Sequence, residues 1–61
     1  DLKVAEERYL DAILEAGREL PANPAAAIAV LEAYLSSDPL PPYRSRVLRE
    51  IERVRGKYGS H

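Results

Sequence analysis

The stretches Leu20-Pro21-Ala22-Asn23-Pro24 and Asp38-Pro39-Leu40-Pro41-Pro42 decide the fold of this chain. Proline lacks a backbone donor and is tolerated only in the first turn of a helix, so each stretch indicates a joint between two helices. Between the joints the apolar residues recur with a period near 3.6, and no segment alternates with period 2. The sequence therefore predicts three helices and no strand.

The residues at the edges of the segments set the expected limits of the helices. Asp1 suits the N-cap of the first helix, and Asn23 followed by Pro24 is a strong start for the second. Gly56 suits a left-handed end for the third helix. The predicted helices cover about residues 2–19, 24–36 and 41–56.

These three helices predict one all-α domain over residues 1–58, folded as a compact up-down-up three-helix bundle. The remaining residues, Gly59-Ser60-His61, look like a linker and the first residue of a purification tag. We therefore leave residues 59–61 out of the predicted fold.

Each helix has one apolar stripe that we expect to face the core. Val4 and Leu14 lie toward or beyond the edge of the first stripe. The stripes consist of Leu2, Ala5, Tyr9, Leu10, Ile13, Ala16, Gly17 and Leu20 in the first helix, Ala27, Ile28, Leu31, Tyr34 and Leu35 in the second, and Val47, Leu48, Ile51, Val54 and Tyr58 in the third.

Size and charge limit what the chain can be. At 61 residues, with no Cys and a single terminal His, it has no disulfide and must be stabilised by packing alone. The net charge is −1, but residues 1–20 carry six acidic and three basic side chains, whereas residues 43–58 carry six basic and two acidic ones. We expect this asymmetry to favour the first and third helices as neighbours.

The residue types needed for most chemistry are missing. No Cys or internal His can act as a nucleophile, base or metal ligand, and the serines have no base partner. There is no glycine-rich phosphate loop, and no apolar run approaches the ~20 residues of a membrane span. The sequence predicts no catalytic residue, no cofactor, no metal, no membrane contact and no nucleic-acid partner.

The same three helices are favoured by several local features: their caps, the prolines in their first turns, their Ala and Leu content and the short polar joints between them. Cys, Met, Trp and Phe are absent. In these respects residues 1–58 resemble an idealised, de novo designed three-helix bundle. The resemblance implies a stable scaffold or a small protein-binding module without catalytic activity.

A second resemblance covers residues 24–58. The positions that carry it are Ala27, Ile28, Leu35, Asp38, Pro39, Leu48, Gly56 and Tyr58. Their spacing resembles that of tetratricopeptide repeats, in which a small residue and Leu pack paired helices and a Pro ends the second helix. Tyr34 stands where that family has a second small residue, and the aromatic residue and Gly expected early in the next helix are missing. The alternative that this resemblance implies is a fragment of a helical repeat protein that binds peptides.

The strongest candidate for a partner face is the outer side of the second helix. Small residues every four positions would let another helix, from a partner protein or a second copy, approach closely, although Ala also fills helices for its propensity alone. The exposed edge residues Val4 and Leu14 are the second candidate. The outer face consists of Ala25, Ala29, Glu32, Ala33 and Ser36, with Ser37 continuing the row of small residues.

Three further features have a structural and a functional interpretation. The stretch from Pro39 to Arg44 matches a PxxPxR ligand of SH3 domains, but its prolines also suit a helix start. Gly17 has two structural interpretations, close helix approach or fraying, and one functional interpretation, room for a small ligand. Tyr43 is the tyrosine predicted to be most exposed. The basic stripe of Arg46, Arg49, Arg53 and Lys57 could meet phosphates or be a solvated helix end. In all three cases the structural interpretation is favoured.

Overall fold

The computed structural model describes residues 2–58 and contains three α-helices, α1 (Leu2–Glu19), α2 (Pro24–Leu35) and α3 (Pro41–Tyr58). No strand occurs in this range. The helices pack against one another in a body of 39 × 19 × 15 Å, which confirms the predicted all-α three-helix bundle. Asp1 and residues 59–61, to which we assigned a cap and a tag, lie outside the described residues.

The first joint forms as predicted. The side-chain oxygen of Asn23 accepts a hydrogen bond from the backbone N–H of Ala26 at 3.1 Å, and Pro24 is the first residue of α2. This side chain satisfies one of the amides that the first turn of a helix leaves without a partner.

The second joint ends α2 one residue before the predicted limit. Asp38 has a positive φ of 58°, which Asp tolerates better than most residues, and the following Pro39 disfavours a helical conformation before it. The carbonyl of Leu40 then accepts the N–H groups of Tyr43 and Arg44 at 3.0 and 2.9 Å. Because α3 begins at Pro41, the part of this stretch from Pro41 onward is helical rather than polyproline II, and the predicted helix start is confirmed.

The core is centred on α2, which packs between the other two helices. α2 contacts both α1 and α3 extensively, whereas α1 and α3 contact each other through only a few residues. Small residues on α1 and α2 let these two helices approach closely, and branched residues of α3 cover the other side of α2. The buried residues are Ala12, Ala16, Ala27, Leu31, Val47, Ile51 and Val54.

Three leucines predicted to face the core are exposed instead: Leu2 at 74%, Leu10 at 54% and Leu48 at 47%. Leu10 lies about 160° around α1 from Ala12, which is buried and was absent from the predicted stripe. Leu2 lies at the start of α1, whose 18 residues exceed the 12 of α2, so α2 cannot cover the whole of α1. Leu48 is rotated by about 100° from the fully buried Val47.

The end predicted for α3 is wrong. Gly56 does not adopt a left-handed conformation, since no described glycine has a positive φ, and the helix continues to Tyr58. Glycine permits either conformation. Tyr58 is half-buried. Its packing against the bundle is consistent with a helix that continues two residues beyond Gly56.

Gly17 is exposed in α1, and a Cβ placed on it would meet nothing within 4 Å. Close helix approach within this chain is therefore not the reason for this glycine. Because Ala is the better helix former and no positive φ is needed, we expect Gly17→Ala to raise the free energy of unfolding by about 0.5–1 kcal/mol. Urea denaturation followed by circular dichroism measures this change, and a destabilised variant would contradict the open surroundings of Gly17.

Candidate functional site

The alanine face of α2 (Ala25, Ala29, Glu32, Ala33 and Ser36) is exposed at all five positions. Its two polar side chains already have partners. The Glu32 carboxylate accepts a hydrogen bond from the Arg55 guanidinium at 3.2 Å, and the Ser36 hydroxyl donates to the Glu32 carbonyl at 3.2 Å. What this face offers a partner is therefore mainly a row of methyl groups.

A second apolar surface, made of larger side chains, lies on α1. Leu10 and Leu14 are one turn apart and are 54% and 57% exposed. With Gly17 they form a continuous strip, which we call the α1 outer face, and Glu7 and Arg18 lie along one edge of it. Leu14 was predicted to lie at the edge of the apolar stripe, whereas Leu10 was predicted to face the core. The spacing of four and then three residues from Leu10 to Gly17 is the signal that would have found this strip.

Val4, predicted to lie at the edge with Leu14, is 45% exposed. It is rotated by about 80° from Leu14 around α1. Val4 therefore lies outside the α1 outer face, and the structure separates these two candidate residues.

An open groove of about 420 Å³ runs between α1 and α2. Its apolar walls include Ala33, which also belongs to the alanine face, and its rim carries charged residues of α1. The Ser37 hydroxyl in this groove donates to the Tyr34 carbonyl at 2.6 Å, so its proton is engaged by the backbone rather than by a base. The groove is lined by Arg8, Asp11, Ala12, Glu15, Val30, Ala33, Tyr34 and Ser37.

Three tyrosines, one from each helix, meet at one end of the bundle. The Tyr9 and Tyr43 rings stack with centroids 5.1 Å apart and an interplanar angle of 24°, and the Tyr34 ring lies 6.4 Å from that of Tyr9 at 58°. The Arg46 guanidinium carbon is 6.0 Å from the centroids of both Tyr9 and Tyr43. The cation position of this cluster is thus filled by the chain itself.

This tyrosine cluster bears on two expectations. Tyr43, predicted to be the most exposed tyrosine, is half-buried in the stack, as are Tyr9 and Tyr34. The charge asymmetry was expected to join α1 to α3, but among residues 2–58 no ion pair links these two helices. Stacking of Tyr9 on Tyr43 provides the contact instead.

The cluster predicts a dependence of stability on pH. Burial, and next the proximity of Tyr43 and Tyr9, raise the pKa of Tyr34 above its ordinary value. As the pH rises, the Tyr34 phenol ionises first in the unfolded chain, at about pH 10. The contribution of the neutral phenol to the free energy of unfolding is therefore complete below that pH and falls as the pH rises above it. We expect Tyr34→Phe to lose less stability than the parent between pH 9 and 11. Parallel slopes in urea denaturation would contradict this expectation.

The basic stripe is largely engaged within α3. Arg53 donates to the Glu50 carboxylate at 3.0 Å, and this hydrogen bond lowers the pKa of Glu50. Lys57 lies 5.4 Å from the Tyr58 ring centroid, and Arg46 lies over the tyrosine cluster. Three of the four basic residues therefore have partners in the fold. Within residues 2–58 the structure shows no partner for the fourth, the exposed Arg49. This arrangement agrees with a solvated helix end.

Two findings on residues 2–58 concern metal binding and membrane crossing. No group of three His, Cys, Asp or Glu side chains is placed to hold a metal ion. None of the three helices combines the length and apolar character needed to cross a bilayer.

Comparison with known protein families, with curated proteins and with solved structures finds no significant match to this chain.

Proposed function

We propose that this chain is a designed helical mini-protein without catalytic activity that acts as a small protein-binding module, with the α1 outer face as its contact surface. The observation that carries the proposal is the exposure of Leu10 and Leu14 side by side, at 54% and 57%. Leucines are costly to leave in water, and adjoining exposed apolar side chains are typical of interaction surfaces. The alanine face of α2 is less favoured because its methyl groups bury less area.

The absence of catalysis in this proposal is supported by the state of the hydroxyl groups. Ser36 and Ser37 each donate to a backbone carbonyl of α2, and a nucleophilic serine needs a base in that position instead. The α1–α2 groove brings Arg8, Asp11 and Glu15 to its rim, but all three are exposed to solvent, as is usual for charged residues on the solvated side of a helix.

Selection from a displayed library of helical peptides tests the binding surface. We expect selected peptides to lose about tenfold or more in affinity for Leu14→Glu and to keep their affinity for Ala29→Glu, which places the same charge on the alanine face. Both variants alter exposed residues, so circular dichroism should show unchanged helix content. The opposite pattern would assign binding to the alanine face and contradict the proposal.

A second candidate function, a fragment of a peptide-binding helical repeat protein, is favoured by the layering of the helices. α2 packs on both neighbours while α1 and α3 contact each other little, which is how stacked repeats contact only adjacent units. A bundle with one core should unfold in a single transition, whereas a repeat fragment can lose its terminal helix first. Hydrogen exchange resolved by residue separates these outcomes.

A further inference from the structure

We infer that the partner of the α1 outer face is a second copy of this chain, bound with the two α1 helices antiparallel. The inference rests on the proposed function, since it names the occupant of the same surface. Three observations support it: the spacing of the apolar residues, the placement of two charges beside them, and a hollow on the same side of α1.

The spacing is that of a helix–helix seam. Leu10, Leu14 and Gly17 follow one another at intervals of four and three residues, the repeat that keeps one stripe facing a neighbouring helix. Gly17 has no Cβ and nothing within 4 Å of where one would stand. A second helix can therefore approach the backbone of α1 at this end of the strip.

The charges select the second copy and its direction. Glu7 and Arg18 are eleven residues apart, about three turns, so they lie on the same edge of the α1 outer face. Neither takes part in an ion pair within residues 2–58. When Leu10 lies opposite Leu14 of an antiparallel copy, Glu7 comes within one residue of Arg18 on that copy. The two-fold axis repeats this pairing, so each contact occurs twice.

A parallel pair lacks this complementarity. With the two-fold axis parallel to the helices, the edge of one copy that carries Glu7 and Arg18 faces the other edge of its partner, so Glu7 does not meet Arg18. The sequence of α1 therefore favours the antiparallel arrangement over the parallel one.

A hollow of about 340 Å³ adjoins the seam and is lined by Asp11, Leu14, Glu15 and Arg18. These residues have the relative positions i, i+3, i+4 and i+7. The middle of this set lies about 80° around α1 from the middle of the strip of Leu10, Leu14 and Gly17, so the hollow borders the seam at Leu14. The hollow thus extends the contact surface from the leucines toward Arg18.

The expected dimer is weak. α1 has 18 residues, which corresponds to a length of about 27 Å, and one side of such a helix gives an interface at the low end of specific complexes, below about 1,200 Å² in total. Sedimentation equilibrium from 10 μM to 1 mM should therefore show a monomer–dimer equilibrium within this range.

Charge reversal distinguishes the antiparallel dimer from other associations. We expect Glu7→Arg and Arg18→Glu each to weaken dimerisation about fivefold or more, and the double variant carrying both changes to restore it to within about twofold. Only a pairing of residue 7 with residue 18 of another copy gives this restoration, because the two residues are too far apart within one α1 helix. Leu14→Glu should abolish the dimer, and Ala29→Glu should leave it unchanged.

A strict monomer at 1 mM would overturn the inference, as would a double variant no better than the single ones or a dimer disrupted only by Ala29→Glu. The proposed function fails separately. If the chain is monomeric but selected peptides still depend on Leu14, the α1 outer face remains a binding surface and only the identity of its occupant is wrong.

Discussion

Replacing Leu31 with Ala is expected to lower the free energy of unfolding by about 2–5 kcal/mol. Leu31 is fully buried, belongs to the central cluster of the core and lies on the helix that contacts both others. Removing its side chain leaves a cavity that α1 and α3 cannot both collapse to fill. Urea denaturation followed by circular dichroism measures the loss, with Leu14→Ala as the matched control.

The control removes the same atoms from a side chain that is 57% exposed, so we expect a change within about 0.5 kcal/mol. Because the chain has no Cys and stability in small domains is a narrow balance, the Leu31 variant should be largely unfolded at 37 °C. Similar losses in both variants would contradict the position of Leu31 at the centre of the core.

The helices were predictable from the sequence because local residues determine where they begin and end. Asn23 caps α2 through its own side chain, and prolines leave few alternatives at either joint. Gly56 was misplaced because glycine allows both a helical and a left-handed backbone, and the choice depends on residues that follow it.

The inward direction of each helix was less predictable than its limits. Hydrophobic periodicity identifies an apolar stripe, but the centre of the buried part depends on where the neighbouring helices lie. α2 packs against the side of α1 that carries its small residues, and not against the side that carries Leu10 and Leu14. Ala12 is therefore buried and Leu10 is exposed. The resulting α1 outer face therefore became visible only with the relative positions of the helices.

The alanine face was predictable as an exposed surface, because its residues share one side of a single helix. The tyrosine cluster was not predicted, because its members come from three helices. Contacts between residues far apart in sequence depend on how the helices are rotated about their axes, which spacing within one helix does not specify.

Replacing Ala27 with Leu is expected to lower the free energy of unfolding by about 1–3 kcal/mol. Ala27 is fully buried and belongs to the same core cluster as Ala16 of α1. α1 and α2 lie close together at this point because Ala16 and Ala27 are small. No free volume remains between the two helices for the additional carbon atoms of a leucine. Ala and Leu have similar helix propensity, so the loss reports packing rather than the helix itself.

Ala29→Leu is the control for this variant, since it makes the same change two residues further along α2 at an exposed position. We expect it to alter stability by no more than about 0.5 kcal/mol. If Ala27→Leu proved neutral as well, α1 and α2 would not be in close contact at Ala27. The burial of Ala12 and Ala16, and with it the outward rotation of Leu10 and Leu14, would then have no physical cause, so this variant tests the geometry on which the α1 outer face depends.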